Sequence, residues 1–501
     1  MLRRSHFRLT FACALVLALL PASPALAAMS RAVVMQRAEQ WVSRAIPYSQ
    51  TGWANLDGAT VASPAAGWRR DCSGFVSMAW SLFKPGASTR TLHYYSDPIT
   101  KAALQPGDAL VSYDNHTVIF GGWADEAHTT YYAYEMSSSA SRNSTPTPDG
   151  TVTRVTPYPY WGGDTTYKPY RLRGIIDNID YSAYTTAVAG SDRYGTAIAA
   201  SRAAFADGTV RVAVVASGEN WPDALGASAL AGAVRGPVLL TRPGALPAGL
   251  AAELQRLGVT EAIVVGGTGA VGTAVERSLD ALPGVAVRRL GGANRYETAR
   301  VVAVETVTRV RASGGTPDAA VFVATGANFP DALAASPISY AEARPIVLTT
   351  PGALAGDAAS AITTLGTTEA VILGGTGPVS ADVEASLKTM LGDTNVSRLA
   401  GADRYATGYA IATYGHAECG LSYAGAGVAT GASFPDALAG GAMAGQLGTV
   451  LMLTPSTKLD ARVAELLLAN RAEIVRVHCL GGDAALKPIV REAIACMLSG
   501  S

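Results

Sequence analysis

Apolar and polar positions alternate in two different ways along this chain, and the change comes near residue 180. In the first third, Phe75, Met78, Ala79 and Leu82 fall at i, i+3, i+4 and i+7, the period of a helix with one buried face. DALVSY (108–113), HTVIF (116–120) and TTYYAYEM (129–136) read as strands separated by the turns PGD and DN. Beyond residue 180 the apolar runs become nearly continuous: VRVAVVAS, PVLLT and EAIVVGG, then AAVFVAT, PIVLTT and EAVILGG, then GAGVAT, TVLMLT and EIVRVHCLGG. Ala-rich helical stretches separate them. Buried strands alternating with helices predict parallel sheets covered on both faces.

These later runs belong to a repeat. AGSDRYGTA (189–197) returns as GGANRYETA (291–299) and AGADRYATG (400–408). SGENWPDAL (217–225) returns as TGANFPDAL (325–333) and TGASFPDAL (430–438). Equivalent arginines stand at 193, 295 and 404, so the period is about 100 residues, far longer than a solenoid unit. Each copy is therefore a small α/β domain.

Composition narrows the class. Lys+Arg and Asp+Glu both number 39, so no overall field draws the chain to nucleic acid or to a membrane surface. Arg3, Arg4 and Arg8 precede an apolar core from Leu9 to Leu20 and the small-residue site Ala25-Leu26-Ala27, the pattern of a secretory signal peptide over 1–27. No later apolar run is long enough to span a bilayer. Export permits disulfides. Counting helical rise from Cys479 to Cys496 separates those two by roughly 15 Å, so Cys419–Cys496 is the favoured pair if a bridge forms.

Cys72 is placed differently from the other cysteines. In RRDCSGFVSMAW it follows a polar turn and opens the predicted helix, with Asp71 as N-cap. Free N–H groups and the helix dipole favour a thiolate there, which is how a cysteine becomes a nucleophile. The competing reading is a small buried hydrophobe or half a disulfide. His116 opens a strand of the following hairpin, and Glu135 lies near the end of the next strand, so a Cys-His-acid triad is available. DCSGFVSMAW followed by LQPGDALVSYDNHTVIFGGW resembles the secreted NlpC/P60 cysteine peptidases of bacterial cell walls, over residues 30–175. The resemblance implies a papain-like α+β fold, hydrolysis of an amide bond in the peptidoglycan stem peptide, Cys72 as nucleophile and His116 as base. It also implies that Tyr48, Asp71 and Ser73 help bind substrate. The third position departs from the family pattern: His128 has the expected separation from His116 but sits in a loop, and Glu135, on the strand, is preferred over it. His93 reads as structural or groove-lining. No spacing fits a metal ligand set.

Gly267-Thr268-Gly269-Ala270-Val271-Gly272 matches a dinucleotide fingerprint after a strand, but the other copies keep only the paired glycines, which a tight turn explains. No cofactor is expected. The repeat as a whole resembles the cell-wall-binding repeat type 2 of Gram-positive bacteria, three copies of which would pack around a pseudo-threefold axis and grip an anionic secondary wall polymer. Arg193, Arg295 and Arg404 are candidates for that grip, since guanidinium pairs bidentately with phosphate or carboxylate. Alternatively each arginine pairs with the PDAL acid of its own repeat, Asp223, Asp331 or Asp436.

The expected organisation is a signal peptide (1–27), an NlpC/P60-like domain (28–178) and repeats at 185–285, 286–394 and 395–501. The expected function is a secreted, wall-anchored peptidoglycan hydrolase. A catalytically inactive wall-bound adhesin or structural protein and an N-acetylmuramoyl-L-alanine amidase are the alternatives.

Overall fold

A computed structural model describes residues 29–56, 58–138, 149–176, 181–457 and 459–499; the leader expected over 1–27 lies outside them. The N-terminal unit is α+β. Helix α1 (Arg31–Ser43) starts at Ser30, whose hydroxyl accepts the Val33 N–H. Helix α2 (Cys72–Ala79) starts at Asp71, which accepts the Gly74 N–H at 2.6 Å. Six strands, β1 (Ser96–Pro98), β2 (Ala109–Val111), β3 (Thr117–Trp123), β4 (Thr130–Ser137), β5 (Gly150–Pro157) and β6 (Lys168–Leu172), pair antiparallel in the order β1-β6-β2-β3-β4-β5. Phe75, Val76 and Met78 of α2 share a core with Ala109, Val111, Ile119 and Met136 of the sheet. Val118, Phe120, Tyr131, Ala133 and Tyr167 form a second, separate cluster. Alternation along β3 and β4 supplies one residue set to each.

The repeated motif (D/N)RYxT is a helix start. Asp192, Asn294 and Asp403 are the N-caps of α3 (Arg193–Ala204), α4 (Arg295–Ala312) and α5 (Arg404–Cys419), each accepting two backbone N–H groups. The motif threonine turns back on the preceding loop: Thr196, Thr298 and Thr407 hydroxyls accept the N–H of Gly190, Gly292 and Gly401. Strong local capping explains why the Asp/Asn and Thr of this motif recur together.

Each repeat contributes to a four-stranded parallel sheet, but sequence units and sheets do not coincide. The first sheet orders Val238–Thr241, Val212–Ser217, Glu261–Val265 and Ala286–Leu290, and its last strand comes from the second repeat. The second sheet likewise ends on Val396–Leu399 of the third repeat. The third is completed by Thr185–Val188 of the first, with Thr185 opposite Val477 and Val188 opposite Leu480. Every repeat lends its leading strand to its predecessor, and the first lends its own to the last. The chain thereby closes a ring.

The helices that follow or include the three PDAL segments, Ala227–Val234, Ser336–Ala341 and Pro435–Gln446, pack on one another at the centre. Gly232 permits that packing: a Cβ there would stand 1.9 Å from the Tyr340 carbonyl oxygen. Tyr340 in turn donates its hydroxyl to Gln446 Oε1 at 2.7 Å. The C-terminal helix Pro488–Ser499 packs on α1, and the Ser30 hydroxyl donates to Glu492 Oε2 at 2.8 Å, so N-terminal unit and ring share a continuous core.

The Cys419–Cys496 bridge does not form, because Cys419 is a free thiol. It ends α5 facing the second repeat, where Arg344, Glu342 and Asp318 surround it, and burial pushes its pKa up. The helix carrying Cys496 packs instead on α1 and the N-terminal unit. The two helices face different neighbours.

Candidate functional site

Cys72 is the first residue of α2, at the helix end where N–H groups lack intrahelical partners. Its flanking residues are tied down. Arg69 Nε donates to Asp71 Oδ2 at 2.7 Å, Arg69 Nη2 donates to Ser73 Oγ at 3.1 Å, and Ser73 Oγ donates to Asp71 Oδ1 at 3.1 Å. Asp71 and Ser73, expected to bind substrate, thus spend their polar atoms on the turn that presents Cys72. Tyr48 is half-buried near Cys72 and Asp71; burial first, and then those two groups, raise its pKa, against a hydrogen bond from Gln50.

His116 stands one residue before β3, after the turn 113–115. Its Nε2 lies 2.7 Å from Glu135 Oε2, and Cys72 is near enough to act on the imidazole. Pairing of Ile119 with Tyr134 puts Glu135 one step nearer the His116 end of β3, a diagonal position across neighbouring strands. His116 is 12% exposed and Glu135 fully buried. Burial alone would drive the imidazole toward neutrality. The Cys72 charge, the hydrogen bonds to Cys72 and Glu135 and the Glu135 charge outweigh it and raise the pKa to about 10. Burial likewise opposes ionisation of Glu135, but His116, Arg154 and Tyr160 hold its pKa below the usual value. The arrangement can shuttle a proton between thiol and imidazole with a fixed carboxylate behind.

His128 is not part of this cluster. It lies in the β3–β4 turn at φ +56°, with its ring stacked on Trp123 at 4.6 Å. His93 packs against Tyr94 and Tyr113. Three residues that the sequence reading did not single out join the cluster: Arg154 pairs with Glu135, Tyr160 donates to Glu135 Oε2 at 2.9 Å, and Tyr167 stacks on Tyr160 at 4.2 Å. The only available signal was the alternation of β5, which turns Arg154 to the face shared with Glu135.

In the ring, the three motif arginines donate to a carbonyl of their own repeat: Arg193 to Gly218 at 2.5 Å, Arg295 to Gly326 at 2.5 Å and Arg404 to Gly431 at 2.7 Å. Pairing of each with the PDAL acid of its own repeat does not occur. Strand exchange turns every arginine toward the acid of the preceding repeat instead. Arg404 acts on Asp331, and Arg193 on Asp436. Arg295 and Asp223 line one cleft of about 250 Å³ with Gly267 and Asn294, and Arg404 and Asp331 line its counterpart of about 360 Å³ with Gly375 and Asp403. The second glycine of each pair noted in the sequence, Gly267 or Gly375, lines its inter-repeat cleft.

Comparison with known proteins bears on the ring. The family model for cell wall binding domain 2 (CWB2) matches three times, at residues 187–276, 289–384 and 398–491, together more than half of the chain. The chain is 30% identical over 273 residues to the N-acetylmuramoyl-L-alanine amidase LytC of Bacillus subtilis, covering 54% of this chain and 51% of that protein. It is 29% identical over 237 residues to the amidase enhancer of the same organism, covering 47% of this chain and 30% of the relative. The chain thus spans about half or less of these curated relatives. Among solved structures, Cwp8 and Cwp6 from Clostridium difficile each align with a TM-score of 0.55 at 19% identity, covering 74% and 78% of this chain and 58% and 63% of theirs; this likeness concerns the fold. The chain belongs to the cell wall binding domain 2 family, carries three copies of that domain, and is a cell-wall-associated protein.

Proposed function

We propose that this protein is a wall-anchored hydrolase of the NlpC/P60 type, with a papain-like N-terminal unit that cleaves an amide bond of the peptidoglycan stem peptide. The observation that carries this reading is the buried Glu135 carboxylate 2.7 Å from the His116 imidazole, on which Cys72 at the start of α2 also acts. Cys72 attacks the carbonyl as thiolate, His116 holds the thiol proton and delivers it to the leaving amine, and Glu135 fixes the ring. N–H groups at the start of α2 receive the oxyanion. Tyr48, close enough to Cys72 to feel its charge, is the side chain to meet substrate beside the nucleophile. Asp71 and Ser73 contribute to substrate mainly by fixing the turn. The three CWB2 repeats bind wall polymer, and the inter-repeat clefts lined by Arg295 and Arg404, with the equivalent Arg193, are the places for an anionic one.

A second reading has the same nucleophile cut the amide next to the sugar; the name of the LytC relative favours it. Mass spectrometry of purified muropeptides treated with the protein and with Cys72→Ala tests both. New fragments from the wild type alone establish a cysteine hydrolase, and their masses identify the bond. Fragments from both proteins, or from neither, refute it and leave a wall-bound protein without this activity.

A further inference from the structure

Glu135 has more partners than orientation of one imidazole requires. Oε2 meets His116 Nε2 at 2.7 Å and accepts the Tyr160 hydroxyl at 2.9 Å. Arg154 Nε closes on Oε1, and Arg154 Nη2 donates to the Tyr160 oxygen at 2.9 Å. Guanidinium, phenol and carboxylate thus form a closed loop. Strand register builds it: Glu135 is opposite Val152 and Ala133 opposite Arg154, so Glu135 and Arg154 share a face of β4 and β5, two steps apart. The rings of Tyr160 and Trp161 flank the guanidinium at 6.0 and 5.5 Å, and its side chain is 14% exposed.

We propose that Arg154, supported by Tyr160, is a positioning residue that holds Glu135 ionised and turned toward His116, and thereby sets the pH at which the Cys72–His116 pair becomes competent. The proposal rests on the reading of Cys72 as nucleophile. A carboxylate with both oxygens free rotates and, when buried, takes up a proton readily. With Oε1 bound by Arg154, Oε2 is left for the imidazole. The titratable groups facing the His116–Glu135 pair are Cys72 from α2, Arg154 from β5, Tyr131 from β4, and Tyr160 and Tyr167 from the segment between β5 and β6. Arg154 is the one fixed cation among them.

With Arg154 removed, Glu135 is protonated more readily and the imidazolium loses its partner. That moves formation of the thiolate–imidazolium pair to higher pH. An ion pair that only fastened β5 to β4 would leave that ionisation where it was.

The test is the pH dependence of Cys72 alkylation by iodoacetamide in the full chain, followed by mass spectrometry of the peptide that contains it, so that no substrate is needed. Arg154→Gln is expected to move the acid limb up by about one pH unit, a roughly tenfold slower alkylation below the limb. Arg154→Lys keeps a cation without the two-pronged hold and is expected between wild type and Gln. Tyr160→Phe removes one hydroxyl, is expected to shift the limb the same way by less, and serves as the readout should the Arg154 variants not fold. His116→Ala separates the two layers of argument. If it alkylates with the wild-type profile, the Cys–His reading fails, and this proposal with it. If His116→Ala is shifted but the folded Arg154 variants and Tyr160→Phe keep the wild-type limb, Arg154 is structural only and the proposal is overturned.

Discussion

Glu135 Oε2 lies 2.7 Å from His116 Nε2, while His128, the histidine with the more familiar spacing, stacks on Trp123 in a turn. The two candidates therefore make opposite predictions. Glu135→Gln keeps the volume but loses the charge, and stem-peptide turnover should fall by about 10²-fold or more. His128→Ala should leave turnover unchanged. Steady-state kinetics on muropeptides check both; a large loss in His128→Ala with full activity in Glu135→Gln would reverse the assignment.

The helix that presents Cys72 depends on its cap. Asp71 accepts the Gly74 N–H at 2.6 Å and is itself held by Arg69. Asp71→Ala should cost about 1 kcal/mol of stability and lower the activity further than the stability loss explains, because the first turn carries the nucleophile. Asp71→Asn keeps a cap acceptor and should recover most of the stability. Thermal melts beside muropeptide assays distinguish the two effects.

Gly232 lies against the Tyr340 backbone where the first two repeats pack at the centre. A methyl group at 232 would sit 1.9 Å from a backbone carbonyl oxygen, which no rotamer relieves. Gly232→Ala should destabilise the ring by about 1–3 kcal/mol, the usual cost of overpacking, and calorimetry should show it as a lowered Tm. Gly244 has open space around its Cβ position, so the same substitution there should be nearly silent.

How much of this was legible in the sequence follows from what a pattern can encode. Apolar runs located the strands, because period is a local property; the caps at Asp192, Asn294 and Asp403 are equally local, but in the sequence the motif reads only as a repeat. Cys72 at a helix start and Glu135 on a strand were likewise read from local signals. The destination of a strand is not local. Thr185–Val188 looks like the opening of the first repeat and pairs with Val477–Leu480 some 290 residues later, as Arg476 Nη1 on Thr186 Oγ1 also reflects. The arginines were consequently expected to meet acids of their own repeat, and exchange turns them to the previous one. Arg154 and Tyr160 escaped for the same reason: their link to Glu135 exists only once β4 and β5 are in register.

Asp331 gives the ring a pH dependence whose sign is unusual for a carboxylate. Burial pushes its pKa up to about 6, and Arg404 only partly opposes this. The folded form therefore binds a proton more tightly than the unfolded chain, for which the ordinary value is near 3.9. The contribution to stability is present in full below that value and is lost as pH rises through about 6. Asp331→Asn should abolish this loss and gain about 1–2 kcal/mol at neutral pH, allowing for partial solvent screening. Melts of both proteins on either side of the window check the sign; a wild type that stabilises as pH rises through it would contradict the assignment.

The last prediction concerns the arginines of the clefts. Arg295 donates to Gly326 at 2.5 Å and faces the cleft that contains Asp223, so one side chain could serve the ring, a polymer, or both. Lysine keeps the charge but lacks the planar fork that pairs bidentately with phosphate or carboxylate. If the clefts hold an anionic wall polymer, Arg295→Lys and Arg404→Lys should keep a Tm close to wild type while sedimentation with purified wall falls about tenfold, or ~1.4 kcal/mol. The loss should deepen with added salt, as screening weakens the remaining point charge. If wall binding instead falls only in step with Tm, the arginines act by holding the repeats together, and the polymer must be gripped elsewhere on the ring.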